Sequence, residues 1–270
     1  MPELPEVETT CRGLLPLVGL MANAAVVRNG GLRWPVPENL SELLGGQRVI
    51  DLQRRAKYIL MRFDTGTLLL HLGMSGSLRI VASDTPPEKH DHVDMVFESG
   101  QLLRLRDPRR FGAVLWAEGD VHQHPLLASL GVEPLEENFD GEYLHRSLRN
   151  RSMPIKTAIM DSHLVVGVGN IYASESLFRA GINPQTPASK LSKPRCERLV
   201  QEIRATLSDA IKAGGSSLRD FFKTDGSPGY FQQQYFVYGR TDEVCKQCGA
   251  SVKSIKQGQR STFYCPICQR

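Results

Sequence analysis

The stretch YILMRFDTGTLLLHL (residues 58–72) decides the fold class. Two runs of strand length, Tyr58–Phe63 and Thr67–Leu72, flank Asp64-Thr65-Gly66, and a short Gly-containing link between such runs reads as a β-hairpin. Outward from it, VDMVF (93–97), the Ser99-Gly100 turn and LLRLR (102–106) repeat the pattern. From about Gly46 to Trp116 enough hairpins follow one another to predict a two-sheet sandwich. Upstream, residues 5–20 read as a helix on its flank. Pro5 suits the first helical position, Glu6 and Glu8 suit the positive end of the macrodipole, and Gly19 marks the exit.

Beyond Glu118 the composition shifts to helix formers. Tyr143–Leu148, Ile155–Met160, Ile171–Arg179 and Pro194–Ala213 are predicted helices, with Gly181 and Gly214 as stops. Pro154 and Pro194 fit first-turn positions, and Asn170 sits where an N-cap is wanted. Gly214–Gln234, rich in Gly, Ser and polar residues, reads as a long loop, and loops of that length usually carry function or are disordered.

A chain of 270 residues is long enough for more than one core. Its longest apolar runs are strand-sized, which argues against a membrane-spanning helix. The start, MPELPEVET, is acidic and Pro-rich, the opposite of a secretion signal, so a cytoplasmic location is expected. Net charge is only +4, and its distribution is more telling than its size. Arg104, Arg106, Arg109 and Arg110 form one cluster, Arg146, Arg149, Arg151 and Lys156 a second, and Lys253, Lys256 and Arg260 a third. Such clusters fit a phosphate backbone or three solvated faces, and charge alone leaves both readings open.

Four of the six cysteines fall in the tail as Cys245-x2-Cys248 and Cys265-x2-Cys268. Two such turns on facing hairpin arms supply a tetrahedron of thiolates, which predicts one structural zinc with no open coordination position. Cys11 and Cys196 stand alone in helical patterns and read as ordinary semi-buried thiols.

At the other terminus, loss of Met1 would leave Pro2 with a free secondary amine. An α-amino group has a pKa of about 8, so part of it is neutral near pH 7 and able to attack an electrophilic carbon, as nucleophilic lysines do. Glu3 beside it could donate a proton or stabilise positive charge. The other reading is that MPELPE only starts a helix. Gly167-Val168-Gly169-Asn170 has Tyr172 where a dinucleotide fingerprint wants a third small residue, so no nucleotide cofactor is expected there. A glycine turn entering a helix can still cradle a phosphate. His90-Asp91-His92 lacks evident further metal ligands and reads as a polar loop or strand edge. Met74, between Gly73 and Ser75, is either core or a wedge that unstacks bases.

Together, MPELPEVET, Arg55-Ala56-Lys57-Tyr58, HLGMSGSLR (71–79), DPRRFG (107–112), VVGVGNIYASESLF (165–178), YGR (238–240) and the four-cysteine tail closely resemble bacterial formamidopyrimidine-DNA glycosylases over essentially the whole chain. The resemblance implies an α+β multidomain protein: an N-terminal β-sandwich flanked by helices (1–130), a helical domain with a helix–two-turn–helix and a lesion-capping loop (131–235), and a zinc finger on a β-hairpin (236–270). It implies excision of oxidised purines from double-stranded DNA, then strand cleavage by β,δ-elimination, with one structural zinc, no redox cofactor and a monomeric state. By the same resemblance Pro2 is the Schiff-base nucleophile, Glu3 the acid, Lys57 the β-elimination lysine and Arg260 the δ-elimination arginine. His90, Arg109, Arg151 and Asn170 are DNA contacts. Met74, Arg109 and Phe111 fill the space of a nucleotide flipped from the stack, and the segment from about Leu218 to Gln234 closes over the flipped base. Two alternatives stay open: an endonuclease VIII-type enzyme for oxidised pyrimidines, and a zinc-dependent DNA-binding protein without activity.

Overall fold

The computed structural model of the chain describes residues 2–216, 224 and 229–270. Their contacts divide them into two compact units, Met1–Ala128 with Ala213–Gln232, and Ser129–Lys212 with Gln233–Arg270.

The first unit is the predicted sandwich. One sheet joins β1 (Met21–Val27), β2 (Gln47–Arg48), β6 (Ser77–Ala82), β7 (Asp91–Phe97) and β8 (Gln101–Arg106) in the order β2-β1-β7-β8-β6. The other joins β3 (Asp51–Arg55), β4 (Tyr58–Arg62), β5 (Thr67–His71) and β9 (Ala113–Ala117) in chain order. The hairpin read from the sequence forms between β4 and β5, with Tyr58 opposite His71 and Arg62 opposite Thr67. Strand alternation sends Ile59, Met61, Leu68 and Leu70 from this sheet, and Val93, Met95, Leu103 and Leu105 from the other, into one shared core.

Helix α1 (Leu4–Gly13) adds Val7 and Cys11 to that core. It ends well short of the predicted exit at Gly19, because Pro16 cannot donate to the helical ladder and its ring clashes with the preceding turn. A 3₁₀ turn, Leu15–Leu17, carries the chain onward, and Gly19 at φ +89° still makes the exit. A short helix, α2 (Leu40–Leu44), lies beside β1.

The second unit contains α3 (Gly141–Leu148), α4 (Ile155–Ile159), α5 (Asn170–Arg179) and α6 (Lys193–Lys212), followed by the hairpin β10 (Lys253–Gln257) and β11 (Arg260–Tyr264). Asp140 caps α3 through a 2.6 Å bond from Tyr143 N–H. Tyr172 and Leu177 of α5, and Cys196, Leu199, Ile203 and Leu207 of α6, are fully buried. The four tail cysteines do not form a module apart. Cys245, Val252 and Cys265 share one apolar cluster with Phe178 of α5 and with Val237, and the rings of Phe178 and Phe236 stack at 5.1 Å.

The lesion-capping segment expected over about Leu218–Gln234 falls largely outside the described residues. Its base is described: Ser216 and Tyr230 form an antiparallel bridge, and Phe231 N–H donates to the Gly215 carbonyl at 3.0 Å.

Candidate functional site

The first unit brings the N-terminal helix and the Lys57 turn together through one arginine. Glu3 is the N-cap of α1, and its N–H donates to Glu6 Oε2 at 2.8 Å. Glu3 and Glu6 are both 2% exposed. Glu6 also accepts Ser216 N–H at 2.8 Å, so one carboxylate fixes the start of α1 and the base of the segment beyond Ser216. On the next turn of α1, Glu8 accepts Arg54 Nε at 2.9 Å. Arg54 Nη1 also donates to the Ala56 carbonyl at 3.0 Å. Ala56 holds φ +54° in the two-residue link between β3 and β4, a left-handed conformation costing a non-glycine residue about 1–2 kcal/mol. This strained turn presents Lys57.

Met74, Arg109 and Phe111 lie on two turns in contact. A Cβ on Gly73, at φ +62°, would come within 2.4 Å of the Phe111 backbone, so only glycine permits this approach. Met74 and Phe111 stay 37% and 44% exposed on these turns. The Arg109 guanidinium lies 4.9 Å from the Phe111 ring centroid. Arg33, Arg109, Arg110 and Phe111 line an open cleft of about 530 Å³.

Asp107, fully buried, stands behind both turns. Its Oδ1 accepts the Ser75 hydroxyl at 2.8 Å and its Oδ2 accepts Gly112 N–H at 2.8 Å. Ser75 Oγ in turn accepts Arg109 N–H at 3.2 Å. The Asp107 N–H donates to the carbonyl of His90, itself at φ +75°, and its carbonyl meets His92 Nε2 at 2.9 Å. Nearby, His71 Nδ1 accepts Gly73 N–H at 3.0 Å. Burial, then the charges of Lys57 and Arg33, lower the His71 pKa to about 4 against the opposing pull of Asp107.

The first basic cluster of the sequence divides. Arg104 is 2% exposed and binds Asp94 through two bonds of 2.8 Å, and Arg106 pairs with Glu88. Burial pushes the Asp94 carboxyl up, but bonds from Arg104 and Arg28 outweigh it and hold the group below its usual range. Arg109 and Arg110 remain exposed. Asp91 belongs to the same ion network, 3.8 Å from Arg104. Burial pushes the thiols of Cys11 and Cys196 up to about 12 and 11, making them poor nucleophiles at neutral pH.

In the second unit Lys156, counted by sequence among surface cations, is 1% exposed. Its Nζ donates to Asn170 Oδ1 at 2.6 Å, Thr262 Oγ1 at 2.7 Å and the Ser261 carbonyl at 3.2 Å. Asn170 is the first residue of α5 and not its N-cap, which is Gly169. Its amide donates to the Ser261 carbonyl at 3.0 Å instead of capping the helix. Next to Ser261, Arg260 stands exposed where the zinc hairpin turns, opposite Gln257. Lys253 and Lys256 are exposed on the same hairpin. Arg151 is half-buried and bonded to Asp161 at 2.6 Å. Glu175, missed by sequence reading, takes the backbone N–H groups of Phe236, Val237 and Tyr238 at 2.8–3.0 Å. Burial raises its pKa and those three bonds pull against the rise. It thereby ties Tyr238-Gly239-Arg240 to α5.

The four Sγ atoms of Cys245, Cys248, Cys265 and Cys268 lie within 4.8 Å of one another, and no disulfide joins them. Sulfur pairs at 3.5 and 3.9 Å suit the edges of a tetrahedron around a zinc with Zn–S bonds of about 2.3 Å. The donor set fits one structural zinc, which when bound braces the hairpin and leaves no site for substrate.

Three family models match along the chain: the formamidopyrimidine-DNA glycosylase N-terminal domain over residues 1–114, that enzyme's helix–two-turn–helix domain over 130–222, and a zinc finger found in these glycosylases and in isoleucyl-tRNA synthetases over 242–270. The formamidopyrimidine-DNA glycosylase of Methylobacillus flagellatus is 61% identical over the whole chain and 97% of its own length. That of Thioalkalivibrio sulfidiphilus is 59% identical with both chains fully covered. Among solved structures, Lactococcus lactis Fpg in complex with DNA containing an abasic site superposes with a TM-score of 0.92 at 36% identity, covering 99% of each chain. Thermus thermophilus MutM (Fpg) gives 0.88 at 38% identity, covering 99% of this chain and 98% of that one.

Proposed function

The chain belongs to the formamidopyrimidine-DNA glycosylase family, and from that premise we propose which of its residues remove the damaged base and cut the strand. It is a base-excision repair glycosylase that acts on damaged DNA and carries one structural zinc. Its substrates are oxidised purines in double-stranded DNA, 8-oxoguanine and formamidopyrimidines.

Pro2, freed of Met1, attacks C1′ of the flipped nucleotide. The C1′–N bond to the base breaks and the base leaves with its electron pair, taking up a proton. Glu3 protonates the sugar ring oxygen as the ring opens to the iminium. The iminium withdraws electrons from C1′, so the C2′ proton becomes acidic and the 3′ phosphate departs by β-elimination. Lys57 serves this step. A second elimination, assisted by Arg260, releases the 5′ phosphate, and water hydrolyses the imine. Met74, Arg109 and Phe111 fill the space left in the duplex. His90, Arg151 and Asn170 hold phosphates. We take the enzyme to be a monomer in the cytoplasm. No helix among the described residues is long and apolar enough to cross a membrane.

The observation that carries this reading is the double use of Arg54, which holds α1, bearing the nucleophile and acid, and the Lys57 turn in one fixed relation. Borohydride trapping on abasic DNA tests it. Wild type should give a covalent adduct that is lost in Pro2→Gly and in a protein extended at its N-terminus. Base release from 8-oxoguanine opposite cytosine should outrun release of thymine glycol; the reverse preference would overturn the substrate assignment.

A further inference from the structure

We propose that Asp107 is the positioning residue of the void-filling set, aligning Met74, Arg109 and Phe111 as one rigid wedge for insertion into the duplex. The inference rests on the assignment of those three residues as the filling set. Each turn of the wedge is held by Asp107 from within the first unit. Oδ1 takes the Ser75 hydroxyl beside Met74, and that hydroxyl takes Arg109 N–H. Oδ2 takes Gly112 N–H beside Phe111. The Asp107 N–H donates to the carbonyl of strained His90. A single carboxylate, 0% exposed, therefore sets the backbone on both sides of the wedge without reaching its surface. The three filling side chains are themselves solvent-exposed, with the Arg109 guanidinium lying over the Phe111 ring. Their rigidity has to come from the backbone beneath them.

Rigidity matters because unstacking a base costs free energy, which an insertion element recovers only if it is already shaped for the gap. Both carboxylate oxygens of Asp107 act as acceptors. In Asp107→Asn one of them becomes an NH₂ group, which cannot accept the Gly112 N–H and can meet Ser75 only by donating to its hydroxyl oxygen, so the paired acceptors that set both turns are lost while volume is kept.

The test compares a substrate that must be flipped with one that need not be. The first is a duplex with 8-oxoguanine opposite cytosine, followed by base release and by a 2-aminopurine reporter placed beside the lesion. The second is a single-stranded oligonucleotide with an abasic site, followed by borohydride trapping. Asp107→Asn should slow base release from the duplex, and the reporter's fluorescence change, by roughly tenfold or more, as misplacement of a positioning element does. Trapping on the single strand should stay within about twofold, because no insertion is needed there. Ser75→Ala, which leaves the carboxylate and its bond from Gly112 in place but cuts the links to the Met74 turn and to Arg109, should show the same selective defect at smaller size. Phe111→Ala serves as the control for the underlying assignment. If Phe111→Ala shows no selective defect, the filling set itself is wrong. If it does but Asp107→Asn and Ser75→Ala slow both substrates equally or neither, Asp107 is a structural residue only and the inference is overturned.

Discussion

Lys156 Nζ lies 2.6 Å from Asn170 Oδ1, a buried cation bonded to the first residue of α5. With Thr262 and the Ser261 carbonyl as further acceptors, it joins α4, the start of α5 and the zinc hairpin at one point. A buried ammonium is tolerated only where acceptors surround it, so its role is to hold Asn170 against the hairpin. Its charge also adds to the positive end of the α5 dipole, a setting that favours phosphate.

Lys156→Met keeps the length of the side chain and removes every donor. It should strand the Thr262 hydroxyl and the Asn170 carbonyl oxygen and cost roughly 2–3 kcal/mol of stability, read from chemical denaturation. DNA affinity should fall, with zinc content unchanged at one per chain because all four thiolates are intact. Unchanged affinity in a variant of lowered Tm would show that Lys156 supports the fold and not the phosphate site.

Arg54 gives a second prediction. Arg54→Ala removes the bond to Glu8 and the bond to the Ala56 carbonyl together. The Lys57 turn then lacks the donor that holds its left-handed residue, and α1 lacks its tie to β3. Misplacement of about 1 Å at a catalytic group can cost 10²-fold. Schiff-base trapping should slow by about tenfold or more while DNA affinity changes by under about threefold, since Arg54 is mostly covered by protein. A pure loss of affinity with normal trapping at saturating DNA would refute this role.

The sandwich was legible because strand pairing needs apolar alternation and short turns, and both are written locally in residues 58–72 and 93–106. The zinc site was legible because two Cys-x2-Cys turns leave few other uses for four thiols. Cations were harder. Arg104 and Lys156 look like their exposed neighbours in the sequence, yet Asp94 pairs with the first across ten residues and Thr262 accepts from the second across 106. Only a tertiary contact tells a buried cation from a solvated one. Asp107 belongs to the same class: DPRRFG displays its arginines and phenylalanine, and nothing local says that the acid holds a turn more than thirty residues upstream. Asn170 was placed one position too early in its helix, because an asparagine beside a glycine turn looks like a cap until its side chain is seen bonded elsewhere.

The pH response of the Met74 turn follows from His71. In the folded protein its pKa is about 4, with burial the leading cause, against an unperturbed value of 6.5. Above about 6.5 the imidazole is neutral folded or unfolded. As pH falls below that value the unfolded chain binds a proton that the folded protein refuses, so stability declines until the folded histidine also titrates near 4. There the Gly73 N–H loses its acceptor. NMR should find the imidazole neutral at pH 5.5, with its proton on Nε2. His71→Gln, whose amide oxygen can accept from Gly73, should flatten the loss of denaturation midpoint between pH 6.5 and 4.5. An imidazole that titrates near 6.5 in the folded protein would contradict this.

The zinc hairpin gives the last test, because it separates scaffold from chemistry. Arg260 extends from the hairpin turn into solvent and bonds to none of the cysteines, so Arg260→Ala should leave the metal and the fold in place. Base removal from an 8-oxoguanine duplex should then persist, and the products should shift toward β-elimination ends that keep a sugar fragment. Cys248→Ser acts through the fold instead. It removes one of four thiolates from the cluster and, with it, the brace on a hairpin whose inner face shares a core with Phe178 and Val237. That variant should lose zinc, bind DNA weakly and fail in end processing, while Pro2, the proposed nucleophile at the opposite terminus of the sequence, is chemically untouched. Trapping at saturating abasic DNA should therefore recover more fully in Cys248→Ser than processing of the second strand end does. Equal loss of base removal and end processing in Arg260→Ala would reassign that arginine from the second elimination to anchoring of the DNA.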